Sequence, residues 1–169
     1  PSALATVLQE KELKLKSMLP QFHLDYQLSD KNNLVEVYEG VAAIRTLFQH
    51  YVDLGEPIYN FGVPKIAVQL IGEYYQNVIH QKRTKKKQWM YHIYNSEAKE
   101  RIKFLNALPY TEAKYLDAEF NFPVTTRMCG NEISITNYSK NPMTIVIRSA
   151  EMAEAYRKYF AILWEKAKK

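Results

Sequence analysis

The chain has 169 residues, 47% of them hydrophobic and 24% charged, which suits one folded domain and excludes a disordered or low-complexity chain. Its net charge of +5 comes from 23 basic and 18 acidic residues. The single run Lys82, Arg83, Lys85, Lys86 and Lys87 holds that whole excess, which argues against a broad basic face for nucleic acid.

In chain order, residues 2–19 read as a helix, with Ser2 able to cap it and Pro20 ending it. Leu4, Leu8, Leu15 and Met18 follow 4-3 spacing, the period of a short dimer helix. Residues 1–26 are therefore expected to be a linker and dimerisation helix. A polar stretch at 27–33 separates it from a domain spanning 34–169. The chain opens on Pro1 rather than Met, and we read it as a fragment or a processed chain.

From residue 34 the period changes. "LVEVYEG" alternates like a strand, and Val41, Ile44, Phe48, Tyr51 and Val52 then share one helical face. "EPIYNFG" is a second strand. A helix beginning near Pro64 repeats Ala67, Leu70, Ile71, Tyr74, Tyr75 and Val78. "QWMYHIYN" is a third strand, "SEAKERIKFLNAL" a helix and "AKYLDAEF" a fourth strand. This alternation predicts parallel strands with crossover helices. Afterwards "VTTRMC" and "EISITNY" flank Gly130-Asn131, a two-residue hairpin signal, and "MTIVIRS" is a further strand. Met152, Tyr156, Tyr159, Phe160 and Leu163 form the stripe of a last helix capped by Ser149. The expected fold class is α/β, with a mixed, largely parallel sheet flanked by helices and an N-terminal helical extension.

The chemistry-bearing residues are sparse. His80 and Lys82 spell the H-x-K that opens a phosphodiester-cleaving motif, but Lys87 stands where that motif needs Asp. His23, His50, His80, His92 and Cys129 show no metal-ligand spacing, so no metal or cofactor is expected. His92 reads as a satisfied sheet residue and Cys129 as a packing residue. The basic run reads as a solvated turn, with a DNA-phosphate contact as the alternative. One cysteine and the lack of a signal peptide or apolar span fit a reducing, cytoplasmic compartment without membrane attachment.

Three stretches, "VYEGVAAIRTLF", "EPIYNFGVP" and "ISITNYSKNPMTIVIRSAEMAEAYRKYFAILWEKAK", carry a resemblance. Their strand endings, Tyr38-Glu39-Gly40 and Phe61-Gly62, and a last helix with Phe160 and Leu163-Trp164 resemble the effector domain of TrmB-like archaeal transcriptional regulators. The resemblance implies a phospholipase-D-like α/β fold that has lost catalysis. It also implies a homodimer, and DNA contact through a winged helix outside this chain. The catalytic His of active relatives would fall near 126–131, where this sequence reads "TRMCGN". Family members known for sugar sensing carry further β-rich sequence after this part, so no ligand residue carries over.

A pocket in a parallel α/β sheet is expected beyond the carboxyl ends of its strands. That nominates Tyr38, Glu39, Asn60, Phe61, Tyr94 and Asn95 for a small-molecule effector, with Arg127 as an anion partner on the hairpin. The expected function is a sensing and dimerisation domain of a regulator, not an enzyme. The alternatives are a phosphodiesterase or nuclease of the phospholipase D superfamily and a purely structural dimer module.

Overall fold

The computed structural model of the chain describes Lys11, residues 35–121 and residues 123–169. The expected dimer positions Leu4, Leu8, Leu15 and Met18 lie outside the described residues. Residues 34–169 form one compact unit.

Seven strands build one sheet: β1 (Val35–Glu39), β2 (Ile58–Val63), β3 (Met90–Tyr94), β4 (Thr111–Tyr115), β5 (Val124–Cys129), β6 (Glu132–Asn137) and β7 (Met143–Arg148). Their spatial order is β1-β7-β6-β5-β2-β3-β4. Only β2/β3 and β3/β4 are parallel. The neighbours β1/β7, β7/β6, β6/β5 and β5/β2 are all antiparallel. The sheet is mixed but mostly antiparallel, which corrects the expectation of a largely parallel one. The reason lies in where β1 goes. It runs in the same direction as β2, as a βαβ unit should, but β7, β6 and β5 fill the gap between them. Alternation of strand and helix along the chain fixes direction; it does not fix adjacency.

Among the described residues, five helices flank the sheet: α1 (Gly40–Leu54), α2 (Lys65–Ile71), α3 (Glu73–Lys85), α4 (Arg101–Asn106) and α5 (Ala150–Lys166). The single helix expected after Pro64 is two, because Gly72 takes φ 88° and ψ 129° and breaks the hydrogen-bond ladder. The expected fourth strand begins earlier, at Thr111, and its tail 118–120 is a 3-10 turn. The Gly130-Asn131 hairpin forms as read, with Cys129 paired to Glu132 across it. Ser149 caps α5 by accepting from the Met152 amide at 3.3 Å.

Each sheet face has its own core. α1 buries Ile44, Leu47, Phe48, Tyr51 and Val52 against Ile58, Met90, Cys129 and Val146, with α2 and α3 extending that layer. Burying each large side chain contributes about 1.5–3 kcal/mol. On the other face, α5 sets Ala153 and Phe160 against Ile93, Met128 and Ile133. There Tyr59 meets Phe160 edge-on at 5.2 Å, and Tyr91 meets Trp164 at 5.8 Å. Trp89 stacks on Tyr91 at 5.7 Å, so sheet packing accounts for both rings.

Gly62 marks the place where β2 slips its register, between Phe61 and Val63. Its φ is 73°, and a Cβ there would stand 2.6 Å from the Val124 carbonyl oxygen. Gly62→Ala should therefore lower the urea midpoint without changing the m-value, by about 1–3 kcal/mol in unfolding free energy. An unchanged midpoint would show that the bulge relaxes.

Candidate functional site

Alternation along a strand decides which side chains share a face. Asn60 on β2 faces the α1 layer. The register places His92 beside it on β3, Arg127 beside it on β5 and Ser134 next to Arg127 on β6. These four polar residues form a row across four adjacent strands. Their exposures are 1%, 4%, 3% and 0%, so the row lies inside the protein. Buried polar groups cost free energy unless they find partners, so the bonding of this row matters.

The donors fix the protons. Arg127 Nε donates to Asn60 Oδ1 at 2.5 Å, and its guanidinium lies 4.1 Å over the Phe48 ring. A guanidinium only donates, so the Asn60 oxygen faces Arg127 and the amide nitrogen faces the other way. That nitrogen reaches the Tyr91 carbonyl at 3.4 Å and His92 Nδ1 at 3.5 Å. His92 Nδ1 is then the acceptor and its proton sits on Nε2, which has no partner among the described residues. His92 is thus not the satisfied sheet residue expected from its strand position.

A second histidine follows the same logic. Arg83 Nε donates to His80 Nδ1 at 3.0 Å, which leaves the His80 proton on Nε2. Burial pushes the His80 pKa down to about 3, helped by the charges of Arg83 and Arg101. Burial likewise holds His92 well below its ordinary value, with His80 and nearby arginines adding to it. Both rings are neutral at ordinary pH. The His80 and His92 ring centroids are 6.1 Å apart.

These groups line a cavity of about 40 Å³ between the sheet and the α1–α3 layer, with Asn60, His80, His92, Tyr94, Arg127 and Tyr138 in its wall. The Tyr138 hydroxyl is buried there without a partner among the described residues. Of the nominated ligand residues, the structure brings Asn60, Tyr94 and Arg127 together here. Phe61 points to the α5 face and, with Asn95, Leu116 and Leu163, borders a separate apolar depression. Tyr38 and Glu39 end β1 at the far edge, four strand spacings or about 19 Å from β2. Tyr38 donates to Glu36, which pairs with Arg148 at 2.8 Å. His80, His92 and Tyr138 were not nominated. For His92 the signal is a polar residue at an alternating position of an otherwise apolar strand; His80 lies on α3 and Tyr138 just after β6, where no such signal exists.

The basic run divides in two. Arg83 is fully buried, so it is no candidate for DNA contact. It donates to the Gln88 carbonyl at 3.2 Å, the Tyr110 carbonyl at 2.9 Å and the Thr111 hydroxyl. Lys82 donates to Gln49 at 2.5 Å, and Lys86 pairs with Asp53 at 3.1 Å. Lys85 and Lys87 remain exposed. Lys87 takes φ 57°, and the Gln88 amide returns to the Arg83 carbonyl at 2.9 Å, closing α3 with a left-handed cap. Among the described residues, no group of three or more His, Cys, Asp or Glu could hold a metal ion. No described helix is long and apolar enough to cross a membrane.

Arg83→Met should destabilise the fold by about 3 kcal/mol, because it strands two carbonyls, a hydroxyl and His80. Lys85→Ala should leave the urea midpoint unchanged, and Lys87→Gly should raise it by relieving the positive φ. Stability should also fall with acid. The unfolded His80 titrates near 6.5 and the folded one near 3, so stability is full above 6.5 and declines as pH falls toward 3. Urea midpoints measured from about pH 7 to about pH 4 should drop, and His80→Gln should flatten the slope.

No protein-family model matches the chain, and no curated protein shows significant sequence similarity to it. Solved structures do match. TrmBL2, an archaeal chromatin protein whose structure shows a novel mode of DNA binding, superposes with a TM-score of 0.58 at 16% identity. That match covers 95% of this chain and 64% of TrmBL2, so the chain spans just under two thirds of its length. NucT from Helicobacter pylori gives 0.53 at 10% identity, covering 79% of this chain and 96% of that one. Nuc from Salmonella typhimurium, a phospholipase D family member, gives 0.54 at 11% identity, covering 79% and 97%. The chain therefore shares the overall fold of these structures, a phospholipase-D-like α/β fold.

Proposed function

We propose that the chain is the sensing and dimer-forming module of a TrmB-like, DNA-associated regulator. The observation that carries this reading is the likeness to TrmBL2 over 95% of the chain. In this reading a winged helix outside residues 1–169 contacts DNA, in the cytoplasm, and the module sets how two such readers are spaced. An effector that favours one dimer geometry shifts DNA affinity, and DNA shifts effector affinity by the same factor. The buried cavity beside Arg127 is the effector site that this reading requires.

A non-catalytic role is part of the proposal. His80 is buried and accepts a hydrogen bond from Arg83, while Lys82 is engaged with Gln49 on the helix surface. The two cannot act together on one phosphorus. The likeness to Nuc and NucT keeps phosphodiester cleavage as the rival reading.

Two measurements decide between them. Purified chain incubated with bis(p-nitrophenyl) phosphate and with single-stranded DNA should release no product above buffer; turnover would overturn the non-catalytic reading. Light scattering at high micromolar concentration should return a dimer mass. A monomer there would remove the dimer-forming role.

A further inference from the structure

We propose that the cavity walled by Asn60, His80, His92, Tyr94, Arg127 and Tyr138 binds a small oxyanion, a carboxylate or phosphate of a few non-hydrogen atoms. The inference rests on the sensor reading for its regulatory meaning only, since binding is a property of this chain alone.

Charge is the first ground. Arg127 is 3% exposed, and among the described residues its side chain's one hydrogen bond goes to a neutral amide oxygen. Arg83, fully buried, donates only to carbonyls, a hydroxyl and an imidazole. Arg101 donates to Gln76 at 2.5 Å. Among the described residues, none of the three forms an ion pair with a carboxylate. Buried charges are ordinarily paired, because the desolvation cost is several kcal/mol per ion. Glu132, an acid on that face, stands on β6 two residues from Ser134. It is taken by His50 at 3.0 Å and Arg148 at 3.2 Å. Of these arginines Arg127 alone lines the cavity, Arg101 being partly exposed, and among the described residues Arg127 has no carboxylate as counter-charge.

Hydrogen-bond polarity is the second ground, and it is independent. These tautomers leave His92 Nε2–H and the Tyr138 O–H as buried groups with no protein acceptor among the described residues. The His80 proton also sits on Nε2, on a ring lining the same cavity. The Asn60 carbonyl oxygen is already taken by Arg127. The open imidazole groups can only donate and the phenol can donate, so a ligand that only accepts satisfies them all. A carboxylate or phosphate oxygen does so; a sugar hydroxyl, which must also donate, fits worse.

Size is the third ground. A cavity of about 40 Å³ is larger than the roughly 10–15 Å³ that one water needs, and far smaller than a nucleotide requires. Acetate, a short carboxylate or inorganic phosphate matches it. Phe48 beneath the guanidinium and Ile71 and Ile79 in the wall keep the site dry, which strengthens each polar contact.

The test is thermal unfolding of the chain at constant ionic strength, titrated with sodium acetate, sodium phosphate or sodium chloride. A saturable rise in Tm with acetate or phosphate, absent with chloride, is expected. A response to acetate alone assigns a carboxylate, a response to phosphate alone a phosphate, and either supports the site. Tyr138→Phe removes a hydroxyl that has no partner, so ligand-free Tm should hold while the midpoint of the titration rises about ten-fold, the cost of one hydrogen bond to a charged group. Arg127→Gln should abolish the response. No saturable response to either anion would overturn the proposal, as would a response that Tyr138→Phe leaves unchanged. That failure would leave the dimer and turnover measurements standing, so the sensor's ligand class and the regulator reading fall separately.

Discussion

Arg127 reaches the Asn60 side chain because β5 runs antiparallel beside β2 and sets the two residues opposite each other. Most of what is distinctive in this molecule follows from that contact. It turns the Asn60 amide toward β3, assigns the His92 proton to Nε2 and leaves that proton unmatched. A guanidinium inside a sheet carries a desolvation cost that one amide oxygen does not offset. The Phe48 ring recovers part of it from below. The row therefore carries a free-energy cost in a protein whose net stability is small.

The opposite face of the sheet shows the contrast. Met128 and Ile133, neighbours in sequence of Arg127 and Ser134, point to α5 and are fully buried among Phe160, Ile93 and Leu163. Two-residue alternation thus sends one set of side chains into an apolar aromatic core and the other into a polar cavity. A one-residue register slip would exchange them, so the same pattern that builds the site also penalises misfolding. Gly62 permits the one local slip that occurs, where β2 bends past Val124.

Arg83 ties this layer together from the helix side. It closes α3, holds the carbonyls of Gln88 and Tyr110 and fixes the His80 ring in the cavity wall. A residue that reads as one charge among five in a surface run is the anchor of the helix end. Its neighbours explain the difference. Lys82 and Lys86 lie where α1 offers Gln49 and Asp53, whereas Arg83 turns inward to a ring of backbone acceptors that suits a planar, five-donor fork.

Local pattern was enough for the elements. The alternation of 35–39, the 3.6-residue stripe of α1, the Gly130-Asn131 turn and the Ser149 cap are set by residues a few positions apart, and they form where the sequence places them. Asn60 and Tyr94 are expected at the carboxyl ends of parallel strands and Arg127 on the hairpin, whereas Asn60 and Arg127 lie within paired strands and all three line a cavity under the helix layer. The strand order, the mostly antiparallel sheet, the inward turn of Arg83 and the meeting of His80, His92 and Tyr138 were not legible in the sequence. Each depends on which strand lies beside which, and that choice is made by burial of whole faces after the elements exist. A sequence encodes periods through near neighbours. Adjacency between β2 and β5, 63 positions apart at Gly62 and Thr125, is decided only when the chain packs.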